Sequence, residues 1–211
     1  MVTARVLLAT RNAKKLAELQ RILDAELGPS VVSLVRPEDV GWHDDVAETG
    51  LTFEANALLK AREGARVTGL PTVADDSGLT VDALNGMPGV FSARWSGRHS
   101  EPQAVRDAAN LDLVLAQISD VDDDHRGAAF VCAAALVFPD GREFSVEGVM
   151  RGRLVRSPRG AGGFGYDPIF VADGHELTSA ELDAAAKDAI SHRGRALRAL
   201  APILAKQLAS T

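Results

Sequence analysis

Ala128 to Phe138 is an apolar run, Pro139-Asp140-Gly141 supplies a turn, and Arg142 to Met150 brings the chain back, which together make a strong hairpin signature. An antiparallel pair of that kind excludes a purely parallel sheet. The start of the chain asks for a different unit. Arg5 to Ala9 (RVLLA) reads as a short buried strand, followed at once by a helix over about 13–27 with Leu16, Leu19, Leu23 and Leu27 along one face. A strand, turn and helix at the start with a hairpin later predicts an α/β fold on a mixed sheet.

The remaining pattern fits that class. Val31 to Val35 reads as a second strand, and 36–50 as a long acidic connection of the kind that often carries function. Thr52 to Thr68 has helical spacing in Phe53, Ala57, Ala61 and Ala65, and Asn56 and Lys60, four apart, share a face. Thr72 to Ala74 is expected to be a strand that delivers Asp75 and Asp76 at its end. Pro102 to Ile118 reads as an amphipathic helix and Ile169 to Val171 as a short strand. Thr178-x-x-Glu181 is a capping box expected to open a helix, and a last helix over about 191–208 carries Leu197, Leu200, Leu204 and Leu208. No repeat or disordered linker interrupts the 211 residues, so 1–211 is expected to form one folding unit.

Composition narrows the function classes. No apolar run approaches the roughly 18 residues of a membrane span, and the opening turns polar too soon for a signal peptide, so a cytoplasmic protein is expected. The single cysteine, Cys132, lies in an apolar run and reads as a small buried hydrophobe. A net charge of −6 argues against a broad nucleic-acid or anionic-membrane surface, so an anionic ligand needs a local basic pocket. Five lysines stand against eighteen arginines, which makes the positions of the lysines informative.

Three segments carry chemistry, and each has an ordinary reading beside it. Thr10-Arg11-Asn12-Ala13-Lys14-Lys15 lies between strand and helix, where free N–H groups suit phosphate, with Thr10 and Asn12 as neutral donors and Lys15 as a point charge; an ordinary N-cap also accounts for it. Gly160 to Gly165 satisfies G-x-G-x-x-G, yet Tyr166-Asp167-Pro168 and a strand follow instead of a helix, which rejects a dinucleotide site. That loop suits close backbone approach to a planar base with an aromatic ring on it, or a plain turn. Asp75-Asp76-Ser77-Gly78 could likewise be only a turn. Two adjacent carboxylates after an apolar strand are costly unless a cation joins them, and Mg²⁺ suits such hard oxygen donors. Glu48 is the best third carboxylate. Zincin, thiol, serine-hydrolase and Walker signatures are missing from the sequence, and His192 differs from the other histidines in opening the last helix beside Arg193.

These segments, taken in order, resemble the inosine triphosphate pyrophosphatase family, the noncanonical purine NTP pyrophosphatases. The resemblance rests on TRNAKK (Thr10 to Lys15), ETGLTFEANALLKAR (Glu48 to Arg62), ADDSGL (Ala74 to Leu79), GMPGVFSAR (Gly86 to Arg94), GGFGYDPIF (Gly162 to Phe170) and KDAISHRG (Lys187 to Gly194). It implies a long mixed central sheet flanked by helices, two lobes with the active site in the cleft between them, and a homodimer. It also implies Mg²⁺-assisted hydrolysis of ITP, dITP or XTP to the monophosphate and pyrophosphate. By the same resemblance Asp76 is the proton acceptor and serves the metal with Glu48, with Asp75 beside it. Thr10, Asn12, Lys15 and Ser77 would hold phosphate, while Phe164, Gly165, Tyr166, Asp167, Lys187, His192 and Arg193 would face the nucleoside; Lys60, one of three of the five lysines that fall in these motifs, is a further phosphate candidate. Arg11 stands where many relatives have glycine, so its cation either tightens triphosphate binding or points to solvent. Two other readings stand beside this one: a triphosphatase preferring modified pyrimidines, and a non-catalytic nucleotide-binding regulator.

Overall fold

A computed structural model of the chain describes residues 4–10, 13–29 and 31–209. In chain order its strands and α-helices are β1 (Ala4–Leu8), α1 (Ala13–Leu27), β2 (Val32–Val35), α2 (Phe53–Thr68), β3 (Thr72–Val81), α3 (Gln103–Gln117), β4 (Gly127–Val137), β5 (Glu143–Leu154), β6 (Phe170–Ala172), α4 (Ala184–Ile190) and α5 (His192–Leu208). The six strands form one sheet in the order β2-β1-β3-β4-β5-β6. β1 pairs in parallel with β2 and β3, whereas β5 and β6 pair antiparallel, so the sheet is mixed as the hairpin required. The hairpin turn closes through Phe138 N–H to the Arg142 carbonyl (2.9 Å) and Gly141 N–H to the Phe138 carbonyl (2.9 Å), with Gly141 at φ 90°.

By its contacts the chain divides into two units. One comprises the chain up to Asp76, Cys132–Gly148 and the chain from Arg193 on; the other comprises Ser77–Val131 and Val149–His192. In the first, alternation along the strands sorts side chains to two faces. Val6, Leu8, Val73, Cys132, Ala134 and Leu136 pack with Leu19, Ile22 and Leu23 of α1 and with Leu197, Leu200 and Leu204 of α5. Ala74, Ala133, Ala135 and Val137 meet Ala57, Ala61 and Ala65 of α2. The alanines that dominate this contact let α2 lie close on the strands. Thr52 caps α2 by accepting from Ala55 N–H (3.1 Å), and Gly69 ends it at φ 67°.

The second unit is built on Leu79, Val81, Leu111, Val114, Ile118, Phe130, Met150, Tyr166, Ile169 and Phe170. Arg126 is fully buried there, and its guanidinium donates to the carbonyls of Leu154 (3.0 Å) and Ile118 (2.7 Å). Backbone carbonyls thus satisfy a buried cation that would otherwise be costly.

Three expectations change. Asp75 and Asp76 do not end a strand, because β3 continues to Val81. Gly78 is not a turn glycine: a Cβ there would meet Ser92 Oγ and, at 2.7 Å, the Gly89 carbonyl, so it marks a close approach of segment 89–92 to the strand. Thr178-x-x-Glu181 forms only half of a capping box. Glu181 Oε2 accepts from Thr178 N–H (2.8 Å), but Thr178 Oγ1 donates to the Arg159 carbonyl (2.9 Å), and the helix starts later, where Asp183 caps Ala186 N–H (2.8 Å).

No helix among the described residues is long and apolar enough to cross a membrane. Cys132 is wholly buried, and burial first, then the nearby Asp75 carboxylate, push its thiol well above the usual range. The native chain is therefore expected to resist thiol reagents and to release one reactive thiol on unfolding. Rapid labelling of the native chain would contradict that packing.

Candidate active site

The strand order 2-1-3 places β1 between two parallel neighbours, the point at which an open α/β sheet leaves a crevice beyond its strand ends. Leu8 of β1 pairs with Val73, so the chain leaves β1 beside β3 just short of Asp75. Lys15, in the first turn of α1, donates from Nζ to Asp75 Oδ2 at 2.8 Å. Arg193, in the first turn of α5, donates from Nε to the same oxygen at 3.2 Å. Asp75 is 6% exposed. Burial alone would raise its carboxyl, but the Lys15 and Arg193 charges, the Lys15 hydrogen bond and the Lys60 charge outweigh it, holding the group well below the usual carboxylate range.

Asp76 follows on β3 and meets the α2 side. Its Oδ2 accepts from Asn56 Nδ2 at 3.0 Å, while Lys60 Nζ lies 3.9 Å from its Oδ1. Lys60 also donates to Glu48 Oε1 at 2.6 Å. One ammonium is thus shared by Glu48 and Asp76. The donor chemistry fits a hard divalent cation that is held by one or two carboxylates and completed by water and phosphate oxygens. Among the described residues, no group of three His, Cys, Asp or Glu converges as a metal cage.

In the second unit the glycine-rich segment is shaped around Asp167. This carboxylate accepts from Phe164 N–H (2.8 Å) and Lys187 Nζ (2.5 Å) and is buried. Gly163, at φ 73°, leaves the space that Asp167 fills. Gly165 N–H donates to Asp107 of α3 (3.1 Å). Phe164 is left 58% exposed, with Lys187 Nζ 5.4 Å from its ring centroid. Tyr166 instead turns into the core and donates its hydroxyl to the Ser92 carbonyl at 2.9 Å. Burial, and then Asp107, push that phenol well above its usual range. His192 stacks on Phe130 with centroids 5.0 Å apart and planes at 14°.

Comparison with known proteins adds to this geometry. The model of the Ham1 family matches residues 6–203. This chain belongs to the Ham1 family. Among its relatives, a protein of Nocardia farcinica named dITP/XTP pyrophosphatase is 62% identical over 205 residues, 97% of each chain. A Mycobacterium abscessus structure, described as nucleoside-triphosphatase / dITP/XTP pyrophosphatase, is 59% identical at TM-score 0.77, over 94% of this chain and 99% of that one. A HAM1 protein structure from Coxiella burnetii is 42% identical at TM-score 0.86, over 96% and 99%.

Within this Ham1 chain the first unit gathers Lys15, Glu48, Lys60, Asp75, Asp76 and Arg193. The second gathers Phe164, Gly165, Asp167 and Lys187, with Tyr166 beneath them and His192 on Phe130. Thr10 follows β1, Ser77 lies on β3 directly after Asp76, and Arg11 and Asn12 lie outside the described residues. Two supporting residues escaped sequence reasoning. Asn56 had one signal, its shared helix face with Lys60. Asp107 had none, because 58 residues separate it from Gly165.

Proposed function

We propose that this Ham1 chain hydrolyses the noncanonical purine nucleoside triphosphates ITP, dITP and XTP to the nucleoside monophosphate and pyrophosphate. The carrying observation is the Lys60 ammonium held by Glu48 and Asp76 beside the Lys15–Asp75–Arg193 cluster. The relatives' names, dITP/XTP pyrophosphatase, support the substrate class.

Lys15 and Lys60 meet the negative triphosphate, with Thr10, Arg11, Asn12 and Ser77 as further phosphate partners. Both lysines are held near carboxylates, so an arriving phosphate exchanges one anionic partner for another instead of meeting an isolated buried charge. Glu48 and Asp76 would hold Mg²⁺, which when bound supplies neutralisation of the phosphate charge. Asp76 accepts the proton of the water that attacks the α-phosphorus. The new bond forms from that water oxygen to the α-phosphorus, the α,β-bridging bond breaks, and pyrophosphate leaves with its electrons. Asp75 serves this arrangement from behind, fixing Lys15 and Arg193.

Phe164 offers an exposed ring for stacking the base, with Gly165, Tyr166, Asp167 and Lys187 shaping its surroundings. A 6-oxo group accepts hydrogen bonds where the adenine 6-amino group donates, so donors on His192 and Arg193 select hypoxanthine and xanthine over adenine. Family resemblance also supports a homodimer. The expected result for the purified chain with Mg²⁺ is a kcat/KM for ITP and XTP at least about 100-fold above that for ATP. Comparable turnover of ATP and ITP would contradict the base selection, and faster turnover of a modified pyrimidine triphosphate would move the substrate class.

A further inference from the structure

Asn56 is a wholly buried polar side chain that joins two parts of the first unit. Its Oδ1 accepts from Gly50 N–H at 2.7 Å, and its Nδ2 donates to Asp76 Oδ2 at 3.0 Å. A backbone N–H can only donate, so the atom facing Gly50 is the amide oxygen, and the NH₂ must face the carboxylate. We propose that Asn56 is a positioning residue that ties the loop bearing Glu48 to Asp76, holding the two carboxylates in register; this rests on reading Asp76 as the base.

The loop sits directly on the start of α2. A Cβ at Gly50 would lie 2.7 Å from Asn56 Oδ1, 2.8 Å from Ala55 Cβ and 3.0 Å from Asn56 N, so only glycine brings the loop this close. Glu48 is two residues back along that loop, and its Oε1 reaches the same Lys60 ammonium that faces Asp76 Oδ1. Asn56 therefore fixes the Asp76 carboxylate through Oδ2 and sets Oδ1 toward Lys60, while the Gly50 bond sets the origin of Glu48. Neutrality is part of the device. A lysine or arginine at position 56 would hold Asp76 too, but would bring a second positive charge to a place that must admit a cation. A buried carboxylate there would repel Asp76. An amide donates without either penalty.

Four variants of the full chain test this. N56D keeps an acceptor for Gly50 N–H and loses the donor to Asp76; N56A loses both; G50A pushes the loop off Asn56 without touching Asp76; T52A removes only the α2 cap. Steady-state kcat and KM for ITP are measured with amide exchange of segment 48–52 in metal-free protein and with the melting temperature. N56D is expected to lower kcat by about 10–100-fold with little change in KM and with the segment still protected. N56A and G50A are expected to lower kcat and to speed exchange, whereas T52A lowers the melting temperature and leaves kcat unchanged. Wild-type kcat in N56D, unaltered exchange in N56A, or a T52A loss of kcat matching that of N56D would each overturn the inference. An active wild type with fully active N56D sinks the positioning role alone. A wild type that turns over no triphosphate sinks the functional reading and this role with it.

Discussion

Replacing Asp76 by Asn is expected to lower kcat for ITP by about 10²–10⁴-fold, the usual contribution of a positioned general base. Asparagine keeps the size of the side chain, and its oxygen can still accept from Asn56 Nδ2, which now sits 3.0 Å from Oδ2. What is lost is the proton acceptor and one negative charge facing Lys60, whose Nζ lies 3.9 Å from Oδ1. KM is expected to change far less than kcat, because the lysines still meet the triphosphate. A melting temperature close to wild type would separate lost chemistry from lost fold. Near-normal turnover by this variant would remove Asp76 from the role of base.

The second large effect is on stability. Asp75 is the shared anion of Lys15 and Arg193, at 2.8 and 3.2 Å, and is 6% exposed. Asp75→Asn leaves two cations without that charge and is expected to cost roughly 3–5 kcal/mol of unfolding free energy, as breaking one side of a buried pair does. Urea unfolding at neutral pH measures it. The pH dependence has a definite sign. The folded carboxyl is held below its ordinary value of 3.8, so its contribution is fully present above that value and fades as pH falls through the lower folded value. Wild type and variant should therefore differ most above pH 3.8 and converge in stronger acid. A difference of under about 1 kcal/mol at neutral pH would show that the cluster is not what holds β3 to the two helices.

Periodicity carried most of the fold. The leucine stripe of α1, the alanine spacing of α2 and the turn at 139–141 are local patterns that can be read without knowing what packs on them, and each of these elements is present within a few residues of its expected span. Asp75 to Gly78 was harder. Locally it looks like a turn, and only Ser92 and Gly89, approaching Gly78 from eleven and more residues away, explain why a glycine continues the strand. The site was legible as a set of segments and not as a wiring diagram. That Arg193 would pair with Asp75, 118 residues earlier, or that Gly165 would hang from Asp107, depends on tertiary placement that no spacing rule encodes. Tyr166 shows the same limit. Its neighbour Phe164 is exposed while Tyr166 itself is buried, and the deciding partner, the Ser92 carbonyl, lies 74 residues away.

The central claim is attack of water on the α-phosphorus, and an isotope decides it. Hydrolysis of ITP by the wild-type chain with Mg²⁺ in ¹⁸O-enriched water should yield pyrophosphate, with the label in the inosine monophosphate. Label in the pyrophosphate, or inorganic phosphate as the first product, would place the cleavage at another phosphorus and contradict the account.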